Sequence, residues 1–202
     1  MILVVEDNKA LRMILKKALQ RAGYEVRVAE NGEEGLKVLN EETPELIISD
    51  VVMPEMDGFE FIKKVREKFP IIPFIFLTVK SEIDEYSKGY ELGATDYITK
   101  PFNGALLVKK VKKRLEASRL MKEIVDRKRS EVEIDKIFIV EFINTLKEQK
   151  VDCRLLISSP FGDGIVEIKG GKIKKSKIAD LEGEKALSKI ASLNKGEIKI
   201  EF

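Results

Sequence analysis

The sequence predicts an α/β fold, a doubly wound five-stranded parallel sheet, followed by a small α+β domain. Two observations predict it. Up to about residue 103, short β-branched runs alternate five times with segments whose apolar residues fall three and four apart. That alternation builds a parallel sheet covered by helices on both faces. Beyond about residue 130 the chain changes to alternating apolar and polar positions broken by glycine-rich turns, the pattern of half-buried strands. A chain of 202 residues suits one full-size domain and one small one.

The elements follow in order. Ile2-Leu3-Val4-Val5 is a first strand, and Leu11, Ile14, Leu15, Ala18 and Leu19 stripe a first helix. Gly23 stops that helix and Tyr24 leads into the run Val26 to Val28 with Ala29. The same unit recurs as Glu33 to Leu39, then Pro44 before Leu46-Ile47-Ile48-Ser49. It recurs as Phe59 to Phe69, then Pro70 and Pro73 before Phe74-Ile75-Phe76-Leu77. A last unit runs from Ile83 to Leu92, with Gly93 before Thr95 to Ile98. Right-handed crossovers reduce the possible topologies to a few doubly wound sheets. From Asn103 to about Ser130 the chain reads as one continuous helix, with Leu107, Val111 and Leu115 toward the sheet. A helix at Ile139 to Leu146, a strand at Val151 to Ile157 and a turn at Pro160 to Gly164 come next. A second alternating strand from Ile165 to Ile168 meets Gly170-Gly171 and then Ile173, and a helix at Glu184 to Leu193 and a last strand at Ile198 to Phe202 complete the chain.

Composition narrows the function. The 37 basic and 35 acidic residues nearly cancel, so the net charge of +2 points to no partner. There is no histidine, which removes imidazole catalysis and most zinc sites. A single cysteine, Cys153, excludes an internal disulfide and reads as a core residue. No apolar stretch approaches the roughly 20 residues of a membrane span. The run Met1 to Val5 breaks at Glu6, too short for a signal peptide, and a cytoplasmic location is expected. Abundant Lys and Glu with only Gln20 and Gln149 fits a thermophile, or equally a surface-charge habit of the lineage.

Chemistry gathers where the strands stop. Glu6-Asp7 follows the first strand, Asp50 the third, Thr78 the fourth and Lys100 the fifth. Parallel strands bring all these carboxyl ends to one sheet edge, where open α/β sheets hold their ligands. Asp50 is a carboxylate able to take a phosphoryl group as an acyl phosphate. Three acids in one pocket repel one another unless a cation sits among them, and an oxygen-rich site with room for water suits Mg²⁺. Lys100 and the hydroxyl of Thr78 are donors for phosphate oxygens. The second strand ends at Glu30-Asn31, for which the sequence alone suggests no role.

Val4-Val5-Glu6-Asp7-Asn8, Asp50-Val51-Val52-Met53-Pro54-Glu55-Met56-Asp57-Gly58, Leu77-Thr78, Gly93-Ala94-Thr95-Asp96-Tyr97 and Lys100-Pro101-Phe102 resemble, in order and spacing, the receiver domain of two-component response regulators. The resemblance covers residues 1–118. It implies a flavodoxin-like sheet of order 2-1-3-4-5 and phosphorylation of Asp50 by a sensor histidine kinase, with only intrinsic self-phosphorylation and dephosphorylation chemistry. It also implies Mg²⁺ held by Asp7, Asp50 and the carbonyl of Val52, with Glu6 acting through a water. Thr78 and Lys100 would contact the phosphate, Thr78 and Tyr97 would form the switch, and the bond before Pro101 would be cis. Val79 departs from the family, which usually carries Ala or Gly after the threonine.

Residues 119–135 read as a basic helical linker. Between Asn103 and Ser130 ten basic residues face three acidic ones, a net +7. A solvated connecting helix is the expected reading, and nucleic-acid contact is the alternative. A homodimer through this helix is conceivable, although Arg114, Ser118 and Lys122 interrupt every heptad register. Residues 136–202 resemble the PATAN domain, through Gly164-Ile165-Val166-Glu167-Ile168, Gly171-Lys172-Ile173, Leu181-Glu182-Gly183-Glu184-Lys185-Ala186-Leu187 and Gly196-Glu197-Ile198-Lys199-Ile200. That family implies an output through protein–protein contacts with an unknown downstream partner. The family often has a small alanine after the Gly171-like glycine, where this chain carries Lys174-Lys175-Ser176-Lys177.

Overall fold

The computed structural model describes residues 1–79 and 88–202, which form two compact units, Met1–Leu115 and Glu116–Phe202. In the first unit five strands, β1 (Ile2–Val5), β2 (Val26–Ala29), β3 (Leu46–Asp50), β4 (Phe74–Val79) and β5 (Asp96–Lys100), pair in parallel in the order β2-β1-β3-β4-β5. This is the expected doubly wound sheet. Of the helix expected over Ile83 to Leu92, residues 83–87 lie outside the described residues, while residues 88–91 are helical.

Strand periodicity explains why both faces are covered. Successive residues of a strand point to opposite faces. Ile2, Val4, Leu46, Ile48, Ile75, Leu77 and Ile98 therefore pack with Leu15 and Leu19 of α1 (Lys9–Arg21) on one side. Leu107, Val111 and Leu115 of the helix Gly104–Val125 join them. Leu3, Val5, Ile47, Phe74 and Phe76 point the other way, onto Val38 and Leu39 of α2 (Gly32–Glu41) and Phe61, Ile62 and Val65 of α3 (Gly58–Lys68). Each such side chain, fully buried, contributes roughly 1.5–3 kcal/mol. Asn8, Asn31 and Asp57 cap the three helices, their side chains accepting from the backbone amides of Leu11, Glu34 and Glu60 at 3.0, 2.9 and 2.7 Å.

The next helix, α4 (Gly104–Val125), ends five residues before the expected Ser130. Arg127 adopts φ 56°, and the Lys128 amide donates to the carbonyl of Glu123 at 2.8 Å. That is the hydrogen-bond pattern that closes a helix through a left-handed residue, usually glycine. Here an arginine takes the position, so the sequence carries no stop signal there.

The second unit holds a six-stranded sheet of order β10-β9-β8-β7-β11-β6, antiparallel at every junction. Its strands are β6 (Glu131–Glu133), β7 (Cys153–Ser158), β8 (Gly164–Lys169), β9 (Lys172–Ile178), β10 (Leu181–Glu182) and β11 (Glu197–Glu201). The inward residues Val132, Cys153, Leu155, Ile157, Val166, Ile168, Ile178, Ile198 and Ile200 share one core with Phe142 and Leu146 of α5 (Ile139–Glu148) and Ala186 and Ile190 of α6 (Gly183–Ala191). The alternate positions form a charged face in which Arg154 stands opposite both Glu167 and Glu201. Two short strands went unread in the sequence, β6 and β10. The segment 119–135, read as a linker, places Ile124, Val132 and Ile134 in this core.

Candidate functional site

Strand register assembles the site. Val5 pairs with Ser49, so Glu6 and Asp50 leave adjacent strands at the same level. Asp50 pairs with Leu77, which puts Thr78 one step beyond, and Val79 pairs with Lys100. Because β1 lies between β2 and β3, the crevice at the ends of β1 and β3 is the point where the strand order reverses. Glu6, Asp7 and Asp50 each offer a carboxylate oxygen there, all within 4.8 Å of one another. Their burial grades outward: Glu6 is 1% and Asp50 9% exposed, and Asp7 is exposed.

Lys100 binds this cluster. Its Nζ donates to Asp50 Oδ2 at 2.6 Å and to Glu6 Oε2 at 2.9 Å. Burial pushes the Glu6 carboxyl above its ordinary value; the hydrogen bond from Lys100 opposes the rise and the Asp50 charge adds to it. Burial acts to lower the Lys100 ammonium, but the hydrogen bonds it donates to Asp50 and Glu6, with the charges of those carboxylates, outweigh burial and hold the ammonium above its ordinary value. With one ammonium among three clustered carboxylates, the donor set fits a small divalent cation with oxygen preference, such as Mg²⁺. Val52, whose carbonyl is expected to serve as a ligand, follows Asp50 by two residues and is 70% exposed.

Thr78 is buried, and its hydroxyl donates to the carbonyl of Val79 at 3.0 Å. Tyr97 is 5% exposed, its ring centroid 5.6 Å from that of Phe76 and 5.1 Å from that of Tyr90. A Cβ at Gly89 would sit 1.7 Å from the Tyr97 hydroxyl, so that glycine makes room for the ring. The peptide before Pro101 is cis. Lys110 donates to Asp96 Oδ1 and to the carbonyl of Tyr97, both at 2.7 Å, and Arg114 bonds the carbonyl of Thr95. Two of the basic residues of α4 are thus engaged at β5.

The sequence reading missed three residues beside the site. Arg12, on the first turns of α1, is 6% exposed and bonds the backbone of Glu6 and Asp7. Glu30 pairs with Arg12, and the Asn31 amide donates to Glu55, in the loop after Asp50. The signal was present in part. Arg12 falls beside Leu11 and Leu15, on the helix stripe that faces the sheet. A guanidinium among core positions needs partners.

Residues 2–112 match the family model for the response regulator receiver domain. The chain is 39% identical over 132 residues to the alkaline phosphatase synthesis transcriptional regulatory protein PhoP of Bacillus subtilis, covering 65% of this chain and 55% of that one. It is 39% identical over 100 residues to the DNA-binding transcriptional regulator NtrC of Proteus hauseri, covering 50% of this chain and 21% of that one. The chain therefore spans about half or less of these relatives' lengths. The solved structure of the chemotaxis protein CheY4 of Vibrio cholerae is 38% identical and superposes with a TM-score of 0.54, over 55% of this chain and 95% of that one. No helix among the described residues is long and apolar enough to cross a membrane. With a parallel sheet of the order β2-β1-β3-β4-β5 and an acidic pocket at its carboxyl edge, the chain belongs to the response regulator receiver domain family of two-component signalling.

Proposed function

We propose that the chain is a response regulator that accepts a phosphoryl group on Asp50 from a sensor histidine kinase and signals through protein contacts of its second unit. One observation carries the first half: Lys100 bonds both Asp50 and Glu6 at the sheet's switch point, so the acceptor lies between a cationic donor and the acidic cluster. An Asp50 carboxylate oxygen attacks the phosphorus of a phosphohistidine, an O–P bond forms, and the N–P bond breaks. The electron pair returns to the imidazole nitrogen, which takes up a proton. Catalysis here is positioning and charge neutralisation. Lys100 donates to one phosphoryl oxygen, and Thr78 exchanges its Val79 carbonyl for another. Asp7, Asp50 and the Val52 carbonyl would hold Mg²⁺, with Glu6 reaching it through a water. When bound, that ion supplies positive charge to the phosphoryl oxygens.

The switch follows from the same contacts. Phosphate on Asp50 draws Thr78 toward it and Tyr97 moves with it, a shift between two populated states. Lys110 holds the Tyr97 carbonyl, so a change in β5 reaches α4 directly. The PATAN-like reading of residues 136–202 makes the second unit the output, and its charged sheet face suits a protein partner. The alternative is a nucleic-acid-binding regulator using the basic helix. It is weakened by the engagement of Lys110 and Arg114 at β5. A homodimer would be seen as a concentration-dependent mass.

Acetyl phosphate with Mg²⁺ tests the acceptor, with intact-mass detection of one added phosphoryl group on the wild-type chain and none on Asp50→Asn. Equal labelling of both would sink the assignment. A pull-down comparing phosphorylated protein with Asp50→Asn tests the output. Steep salt-dependent binding to generic DNA would favour the alternative.

A further inference from the structure

Among the described residues the carboxylates of the acidic cluster are those of Glu6, Asp7 and Asp50, and the end of β2 is tied to the first two through one buried arginine. We infer that Arg12 is a positioning residue for Glu6 and Asp7, and that Glu30 holds Arg12 in place; the inference rests on reading those two acids as part of the metal-holding cluster. Arg12 Nη1 donates to the backbone carbonyl of Glu6 at 2.6 Å and to that of Asp7 at 3.0 Å. Nη2 pairs with the Glu30 carboxylate. The peptide unit is planar, so holding two successive carbonyls sets the orientation of the peptides that follow Glu6 and Asp7. Those peptides determine where the chain carries the two carboxylates.

The arrangement depends on the shape of the guanidinium more than on its charge. A planar fork can serve carbonyls on one nitrogen and a carboxylate on the other, which a compact ammonium cannot do with the same reach. Glu30 neutralises the buried cation, as burial at 6% exposure requires. Register places Glu30: Val5 pairs with Ala29, and the Glu6 amide donates to the Ala29 carbonyl at 3.1 Å. The Glu30 amide in turn donates to Glu34 Oε2 at 3.0 Å, in the first turn of α2. The end of β2 thus acts as an anchor for the loop that carries the acids.

The test is calorimetric titration of MgCl₂ into the unphosphorylated full chain, for wild type, Arg12→Lys, Arg12→Met and Glu30→Gln, each with its melting temperature. Partners that orient metal ligands change affinity by about 10- to 100-fold when lost. Arg12→Lys and Arg12→Met are expected in that range, and Glu30→Gln at its lower end. A double variant Arg12→Lys/Glu30→Gln should bind no more weakly than Arg12→Lys alone, because both act through one contact. A role confined to stability predicts lower melting temperatures with unchanged Mg²⁺ affinity in the folded protein, and that result overturns the inference. So does wild-type affinity in Arg12→Lys, since charge would then suffice. If the Arg12 variants do not fold, Glu30→Gln decides alone, and unchanged affinity there refutes the role. Wild-type protein that binds no Mg²⁺ removes the reading of the pocket itself, and the inference with it. Binding by wild type with unchanged variants removes the inference alone.

Discussion

Replacing Lys100 by methionine keeps most of the apolar stem and deletes the ammonium that bonds Asp50 at 2.6 Å and Glu6 at 2.9 Å. At an effective dielectric of about 20, each pair attracts by about 6 kcal/mol before desolvation is counted. Removing one partner of a buried pair costs about 3–5 kcal/mol net. The Lys100 side chain is 18% exposed, which places the expected loss at about 2–4 kcal/mol in EDTA. Two carboxylates then face each other with no ammonium between them, and a divalent cation no longer competes with one. The variant should therefore gain more from Mg²⁺ than the wild type does, by the logarithm of ligand concentration over Kd. Urea unfolding followed by circular dichroism, with and without saturating Mg²⁺, measures both gaps. A stability difference that is the same in EDTA and in Mg²⁺ would refute the idea that ion and lysine share these carboxylates.

Other outcomes follow from single positions. A Cβ at Gly58 would lie 2.2 Å from the Asp50 carbonyl oxygen and 2.9 Å from the Phe76 ring, so Gly58→Ala should lose at least about 2 kcal/mol and accept phosphate more slowly. Gly104→Ala, whose Cβ would meet Ala18 at an ordinary 3.6 Å, should keep or raise the melting temperature. Val79 is 59% exposed and pairs with Lys100; on the reading that its branched side chain screens Asp50 from phosphodonors, Val79→Ala should load and lose phosphate faster with acetyl phosphate, and faster loading in the wild type would contradict this. Burial, with Asp152 adding, pushes the Cys153 thiol up to about 11. A raised value means the neutral thiol is favoured in the fold. Its contribution is complete below the ordinary thiol range and is lost as pH rises through about 11. Cys153→Ala should unfold with a flatter pH dependence across that window, and identical slopes would exclude the thiol as the cause.

The site was legible because its chemistry stands at strand ends. Hydrophobic runs of period two name the strands, and the residue after each run is then at a known edge. Glu6, Asp50, Thr78 and Lys100 needed no distances for that, since parallel pairing brings carboxyl ends together. Arg12 and Glu30 were not legible in this way. They are distant in the chain, and the reason an arginine belongs in the α1 stripe is a carbonyl that belongs to the loop before it. The end of α4 was missed for a different cause: its left-handed closing residue is Arg127, where glycine would have announced it. In the second unit β6 has only three residues and β10 two, too short for any period to show.

By itself the sequence determined the order of the strands in the first unit, their parallel sheet and the edge where the candidate site residues stand. Local pattern decides these, because burial of alternating side chains leaves few ways to cover a sheet. Only the tertiary structure decided which donors meet which carboxylates. It also showed that part of the basic helix is engaged at β5, and that Glu30 at the end of β2 pairs with the arginine that bonds the carbonyls of Glu6 and Asp7. Those outcomes depend on which side chains meet across strands and helices far apart in the chain, and no local pattern encodes such contacts.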